Sequence, residues 1–244
     1  MSEEKKNVKK FGPGIIDESG DYGTITTMGP LTIRAACTAE LVKVQGPISI
    51  KERCAVGKAR VNGPLETKAD LKIGEELKVN GPVEIKGSLE GAGEAVLKIN
   101  GPLEAADVKG FRVIRVMGPV EASDLHATEE IVVSGNVSAA SVNAGTVQIQ
   151  LRSGESTIQS VRGDNIEIGQ EVSAVEDSGE GGLRILKRIF SNSLGELGTA
   201  VIDEIHATGV VELDNVKVRK VVAKELYAGE NTEIGEFVEL VSDT

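Results

Sequence analysis

The chain has 244 residues, of which 40% are apolar and only 2% aromatic, so it can bury a sizeable core almost without aromatic rings. Twenty-nine glycines and a surplus of Val and Ile favour an all-β chain with many tight corners over a helical bundle. The net charge of −11 argues against nucleic acid as a partner, which needs clustered Lys and Arg and often aromatic stacking platforms.

Two cysteines are too few for a disulfide framework and point to the cytosol. The opening Met1-Ser-Glu-Glu-Lys-Lys6 lacks an apolar stretch of signal-peptide length, and no run approaches the ~20 residues of a membrane span. A soluble cytoplasmic protein is expected, with residues 1–11 as a flexible charged N-terminus.

From Gly12 a repeat sets in. All seven prolines follow a glycine: Gly12-Pro13, Gly29-Pro30, Gly46-Pro47, Gly63-Pro64, Gly81-Pro82, Gly101-Pro102 and Gly118-Pro119. Gly135-Asn136 is an eighth member, and successive glycines are 17, 17, 17, 18, 20, 17 and 17 residues apart. Counting outward from each glycine from Gly29 on, the second and fourth residues on both sides are apolar or small, as in Val42, Val44, Ile48 and Ile50 around Gly46. That is the period of a pleated strand with one buried face.

The glycine is expected to point inward at a bend, where a side chain would meet the core. Proline beside it cannot donate to a ladder and belongs at a corner. Asn62, Asn80 and Asn100 precede the glycine in three adjacent copies and suit a turn. A unit of about 17 residues holds three short strands and cannot bury its own face, so the copies must stack. The spacing therefore predicts a parallel β-solenoid over 12–169 with rungs ~4.8 Å apart.

Past Gly135 the register loosens, although Val142, Val147, Ile149, Ile158, Val161, Ile166 and Ile168 supply about two further turns. Residues 170–182 are acidic and Gly/Ser-rich, as in a surface loop. Then the period changes: Leu183, Leu186, Phe190, Leu194 and Leu197, with Ile189 beside them, predict an amphipathic helix over 183–197. This helix is expected to pack on the solenoid or cap one end; a membrane-surface role is the other reading. Residues 170–199 are thus an insertion, 200–240 bring β segments back as further turns or a cap, and 241–244 form a tail.

No catalytic constellation stands out. Cys37 and Cys54 lie 17 residues apart and are expected as stacked interior neighbours, not as metal ligands. His126 and His206 lack a nucleophile or carboxylate in a recognisable motif. Gly87, Gly91 and Gly93 resemble an enlarged corner and not a phosphate loop. Asn136-Val-Ser138 matches a glycosylation acceptor that is uninformative without a secretory signal. No cofactor, metal or small-molecule substrate is expected.

Charge falls in columns. Glu66, Glu84, Glu104 and Glu121 stand three residues after the glycine, and Arg34, Lys51, Lys68 and Lys86 five after it. Lys43, Arg60, Lys78, Lys98 and Arg115 stand three before it. Adjacent columns of opposite sign neutralise one another. The sharper reading makes the last set a contact for an anionic surface such as membrane headgroups.

With these turns laid out, the chain resembles the bactofilin family of polymer-forming cytoskeletal proteins. The likeness is carried by Val61-Asn-Gly-Pro-Leu-Glu-Thr67, Val79-Asn-Gly-Pro-Val-Glu-Ile85, Ile99-Asn-Gly-Pro-Leu-Glu-Ala105 and the closing Asn231-Thr-Glu-Ile-Gly-Glu-Phe-Val-Glu-Leu240. The resemblance implies a right-handed triangular β-helix that assembles end to end into nucleotide-independent, non-polar filaments, often near a membrane. It also implies an apolar aromatic of the last turn at the assembly contact, here Phe237. The chain departs from the family in its length, in its 183–197 segment and in lacking a short apolar N-terminal peptide.

Elementary physics leads to the same expectation, because an open solenoid exposes unpaired N–H and C=O groups at each end rung. Val238 and Leu240 at one end, and Ile15 and Ile16 at the other, are the apolar residues that stacking would bury beside Phe237. Lys5, Lys6, Lys9 and Lys10 at one end and Glu230, Glu233, Glu236 and Glu239 at the other either guard the ends or attract each other, so polarity stays open. A capped monomeric or dimeric adaptor, docking a partner through its charged columns, is the second reading. A hexapeptide-repeat acyltransferase is a distant third, since its strict six-residue spacing is not met, and no enzymatic activity is expected.

Overall fold

The computed structural model describes residues 5–169, 183–185, 198–229 and 231–241. Every described strand joins one 24-stranded parallel sheet, wound into a β-solenoid of about 12 turns. At ~4.8 Å per rung this makes a rod roughly 55 Å long.

One turn shows how the sequence makes the coil. Ile48–Ile50 is a three-residue strand with both isoleucines buried and Ser49 facing out. After a short corner comes Cys54–Asn62, whose buried positions change phase between Val56 and Ala59. The chain bends there, so one long strand provides two arms and the turn has three faces. The inward residues stack in register from turn to turn: Leu31 pairs with Ile48, Ile48 with Leu65, and Leu65 with Val83. The resulting core is one column of Ile, Leu, Val and Ala running from Ile16 to Leu226, with Phe111 its largest fully buried side chain.

The Gly-Pro corners stack as well, for a reason other than collision with the core. A Cβ on Gly63 would lie 2.6 Å from the carbonyl carbon and oxygen of Gly46 in the preceding turn. Close approach of backbone to backbone between rungs therefore demands glycine. Proline fits beside it because its carbonyl is what the ladder uses: the N–H of Ile48 donates to Pro64 and that of Leu65 to Pro82. The asparagines act between turns instead of within one. Asn100 donates its amide to Asn80 at 2.8 Å, and Asn80 to Asn62 at 2.7 Å, a hydrogen-bonded ladder along the corner.

The irregular turns obey the same ladder. Leu89–Asn100 absorbs its extra residues as a bulge, with the register slipping between Gly91 and Val96. Lys6–Lys10, within the stretch expected to be flexible, forms a strand parallel to Gly20–Thr27. Glu155–Gly163 pairs directly with Thr199–Ala207, and Asn165–Gly169 with Val210–Leu213. The coil therefore resumes after the insertion, and the described residues of 200–240 extend the same ladder.

The expected amphipathic helix over 183–197 is not borne out. Its first residues, Leu183–Ile185, form a strand parallel to Glu225–Ala228, and no helix occurs among the described residues. Leu186, Ile189, Phe190, Leu194 and Leu197 lie outside the described residues. Leu-Arg-Ile alternates as well as it follows a helical period, and the free edge of Glu225–Ala228 offers hydrogen bonds that outweigh a weak local preference. This strand occupies the third face beyond Glu225–Ala228, in the rung whose other two faces come from Glu233–Glu239. The last turn is thus completed by a segment taken out of chain order.

Candidate functional site

The two ends of the rod differ. In the last turn Ile234 pairs with Val218 and Phe237 with Val221, so both take positions that are buried throughout the stack. With no described turn beyond them, Ile234 and Phe237 are only half-buried while packing against the core. Val238 faces outward and is 37% exposed. Leu240, half-buried, follows the strand and donates its N–H to Ala223 at 2.9 Å. Ile234 did not enter the sequence-based contact set, although its three-residue distance from Phe237 matches Val218 and Val221 in the turn above.

At the other end Lys6 pairs with Tyr22, Val8 with Ile25 and Lys10 with Thr27. Tyr22, Ile25 and Thr27 face the core, so the outermost rung sets two lysines over it with one valine between. Inward-facing charge of this kind blunts a free sheet edge. Lys6 is ion-paired with Glu18, which raises the lysine and lowers the glutamate from their usual pKa values. Ile16, placed among the contact residues from sequence, is a buried member of the first core layer, and Ile15 points out of the side at 49% exposure. Gly14–Ile16 pairs on one side only, with Leu31–Ile33, so Ile16 is the last described residue of its column at this end. The odd–even alternation of a three-residue strand separates the two, because it sends one isoleucine into the core and the other to the flank.

The charged columns form in register. Lys43 pairs with Arg60, Arg60 with Lys78, Lys78 with Lys98, and Lys98 with Arg115. Glu66, Glu84, Glu104 and Glu121 line another face in the same way. Part of this charge is neutralised: Glu76 lies 3.3 Å from Arg60 and 3.8 Å from Lys98, Glu130 lies 2.7 Å from Arg115, and Lys86 bridges Glu84 and Glu104. Among the described residues no carboxylate lies within 4.0 Å of Lys43 or Lys78. Exposed pairs such as these contribute roughly 0–1 kcal/mol each, so the columns shape the surface potential more than the stability.

Cys37 and Cys54 pair across adjacent turns, buried and unbonded, with sulfurs 3.4 Å apart. The hydrogen bond to Cys54 and burial push the Cys37 thiol up, away from reactivity. His126 and His206 face solvent on one side of the coil, three turns apart. Among the described residues no group of three His, Cys, Asp or Glu is placed to hold a metal.

A second glycine column escaped the sequence reading. A Cβ on Gly57 would meet the Glu40 carbonyl at 2.7 Å, and Gly74, Gly91 and Gly110 continue the same corner. The signal was there, since Gly57, Gly74 and Gly91 repeat at 17 residues. Their missing side chains leave a shallow groove of about 540 Å³ beside Ala39, Val56 and Ile73. Its rim charges are already paired, Lys5 with Glu40 and Lys72 with Glu90.

Fold and ends together define a parallel β-solenoid with one apolar, incompletely covered end and one basic end. No family model, curated protein or solved structure matches the chain. No helix among the described residues is long and apolar enough to cross a membrane.

Proposed function

We propose that this chain is a structural protein, a bactofilin-like cytoskeletal scaffold whose solenoids associate end to end without nucleotide. The observation that carries the reading is the last turn. Ile234 and Phe237 are half-exposed in positions where the turn above buries Val218 at 2% and Val221 at 0% exposure. A further rung would bury them, at about 25 cal/mol per Å² of apolar area, and would pair the free edge of Glu233–Glu239. The tandem Asn-Gly-Pro turns support the same reading through their family resemblance.

Negative-stain electron microscopy of the purified chain at low and high salt, without nucleotide, tests this. Filaments one solenoid wide are the expected result. A monodisperse particle at both salts overturns it.

A second reading has its own observation. Lys43 and Lys78 face outward with no carboxylate within 4.0 Å among the described residues, in a column otherwise partly neutralised. This favours docking of the flank onto an anionic membrane surface. Sedimentation with phosphatidylserine vesicles, compared with a Lys43→Glu/Lys78→Glu variant, tests it: equal binding by both proteins removes the idea.

A further inference from the structure

We infer that Asn62, Asn80 and Asn100 are self-modifying sites that the stacked Gly-Pro corners keep silent. They convert to aspartate or isoaspartate only where turns have opened. These are the three Asn-Gly sequences of the chain. Each asparagine closes a strand just before its glycine, in Cys54–Asn62, Leu71–Asn80 and Leu89–Asn100.

The chemistry belongs to the sequence. The glycine nitrogen gives up its proton and attacks Cγ of the preceding asparagine. An N–C bond forms, the bond from Cγ to the side-chain nitrogen breaks, and ammonia leaves with the proton. Water then opens the cyclic imide at either carbonyl, giving aspartate or isoaspartate. Glycine favours the step because it has no Cβ to hinder ring closure. All three asparagines are exposed, so water reaches them and burial does not protect them.

What the fold withholds is the nucleophile and the side chain it must reach. The Gly63 N–H donates to the Asn80 carbonyl at 3.0 Å, that of Gly81 to the Asn100 carbonyl at 3.0 Å, and that of Gly101 to the Met117 carbonyl at 3.1 Å. Each nitrogen is aimed at the next turn, while its asparagine ends an extended strand. The side chains are tied as well, Asn80 donating to Asn62 at 2.7 Å and Asn100 to Asn80 at 2.8 Å. Closing the ring requires these bonds to break, which means lifting one turn off the next. The corners concerned are the fourth, fifth and sixth Gly-Pro pairs, so fraying of the first turn does not reach them.

The side-chain lock is uneven along the ladder. Asn80 is bonded on both sides, whereas Asn62 only accepts and Asn100 only donates among the described residues. Asn80 is therefore the slowest of the three in the folded chain. The product shows why the lock matters. Isoaspartate carries the main chain through the side-chain carbon, adding a backbone atom beside a corner where turns fit closely. A Cβ on Gly63 alone would lie 2.6 Å from the Gly46 carbonyl. A chain converted while open cannot restore that fit, so the time it spends unstacked limits its return to the solenoid.

Peptide mass spectrometry with isoaspartate-specific methyl labelling tests this on the full chain, held at mildly alkaline pH with and without urea. In urea all three sites should convert. In the native protein conversion should be slower by about thirtyfold or more, the combined effect of two ordinary hydrogen bonds, with Asn80 slowest. Asn80→Ala removes both side-chain bonds of the ladder and keeps the backbone carbonyl that Gly63 uses. It should speed Asn62 and Asn100 about fivefold each in native buffer and leave their rates in urea unchanged. Equal wild-type rates with and without urea would overturn the inference, and so would sites that stay intact in urea. Native rates at Asn62 and Asn100 that do not change in Asn80→Ala would overturn the part assigned to the amide ladder.

Discussion

Replacing Gly63 with alanine probes the device on which the whole coil depends. Gly63 has φ +148°, a region that L-residues avoid, and its added Cβ would lie 2.6 Å from the carbonyl of Gly46. Gly12 belongs to the same column and has φ +121°, yet a Cβ there meets nothing within 4 Å, because no described turn lies against it. Both substitutions carry the backbone strain, about 2 kcal/mol. Both also gain the same fraction of a kcal/mol from a less flexible unfolded chain.

Only Gly63→Ala must push two turns apart as well. That strains the hydrogen bonds from the Gly46 N–H to Asn62 at 2.9 Å and from the Ile48 N–H to Pro64 at 2.8 Å, a loss of about 1 kcal/mol each. The expected totals are about 2 kcal/mol for Gly12→Ala and about 4 kcal/mol for Gly63→Ala. For a chain of this size these correspond to midpoint falls of roughly 6 °C and 12 °C. Thermal unfolding followed by far-ultraviolet circular dichroism measures both. Equal shifts for the two variants would refute the argument that contact between turns, and not φ alone, selects glycine at these corners.

Three further outcomes are expected. Phe237→Arg should abolish filaments in electron micrographs while leaving the far-ultraviolet spectrum unchanged, and filaments that persist would take the contact away from the last turn. Cys37 and Cys54, stacked and buried, should react with a thiol reagent at least about a hundredfold more slowly in the native protein than in urea; native reactivity at the urea rate would contradict the interior placement. Glu167 and Glu212 are neighbours on adjacent turns, and burial raises both carboxyls, with the charge of Glu167 adding to the rise at Glu212. The folded state then holds more protons between the unfolded carboxylate value and the raised ones. Stability falls as pH rises through that window, and the penalty is fully present above it. Glu212→Gln should therefore raise the thermal midpoint at pH 7 and have no effect below about pH 4, where an unfolded glutamate is also protonated. A midpoint shift independent of pH would refute the assignment.

Much of the solenoid was legible because it follows from local arithmetic. A 17-residue glycine register with period-two alternation on either side leaves one way to bury the apolar face, which is to stack the copies. The charged columns and the cysteine pair follow from the same register, since residues one repeat apart must be neighbours once the copies stack. The Gly57, Gly74 and Gly91 column was equally readable but lay hidden beside the more conspicuous Gly-Pro pairs. The ends are less legible. Ile15 and Ile16 are adjacent apolar residues in the chain, and only the phase of their strand shows that one belongs to the core and the other to the flank.

The sequence by itself determined the repeat, the strand period, the inward and outward columns and the need to stack, because each depends only on spacing along the chain. The tertiary structure decided how the stack is finished. Leu183–Ile185 is a strand because the free edge of Glu225–Ala228 lies within its reach, and the order of residues along the chain does not reveal that edge. Which side chains close the core at each end is likewise a matter of register between distant turns. It places lysines over one end and leaves Ile234 and Phe237 half-covered at the other. A period fixes what repeats, whereas an end is the place where the repeat has no neighbour, and its character depends on what the folded chain brings to that edge.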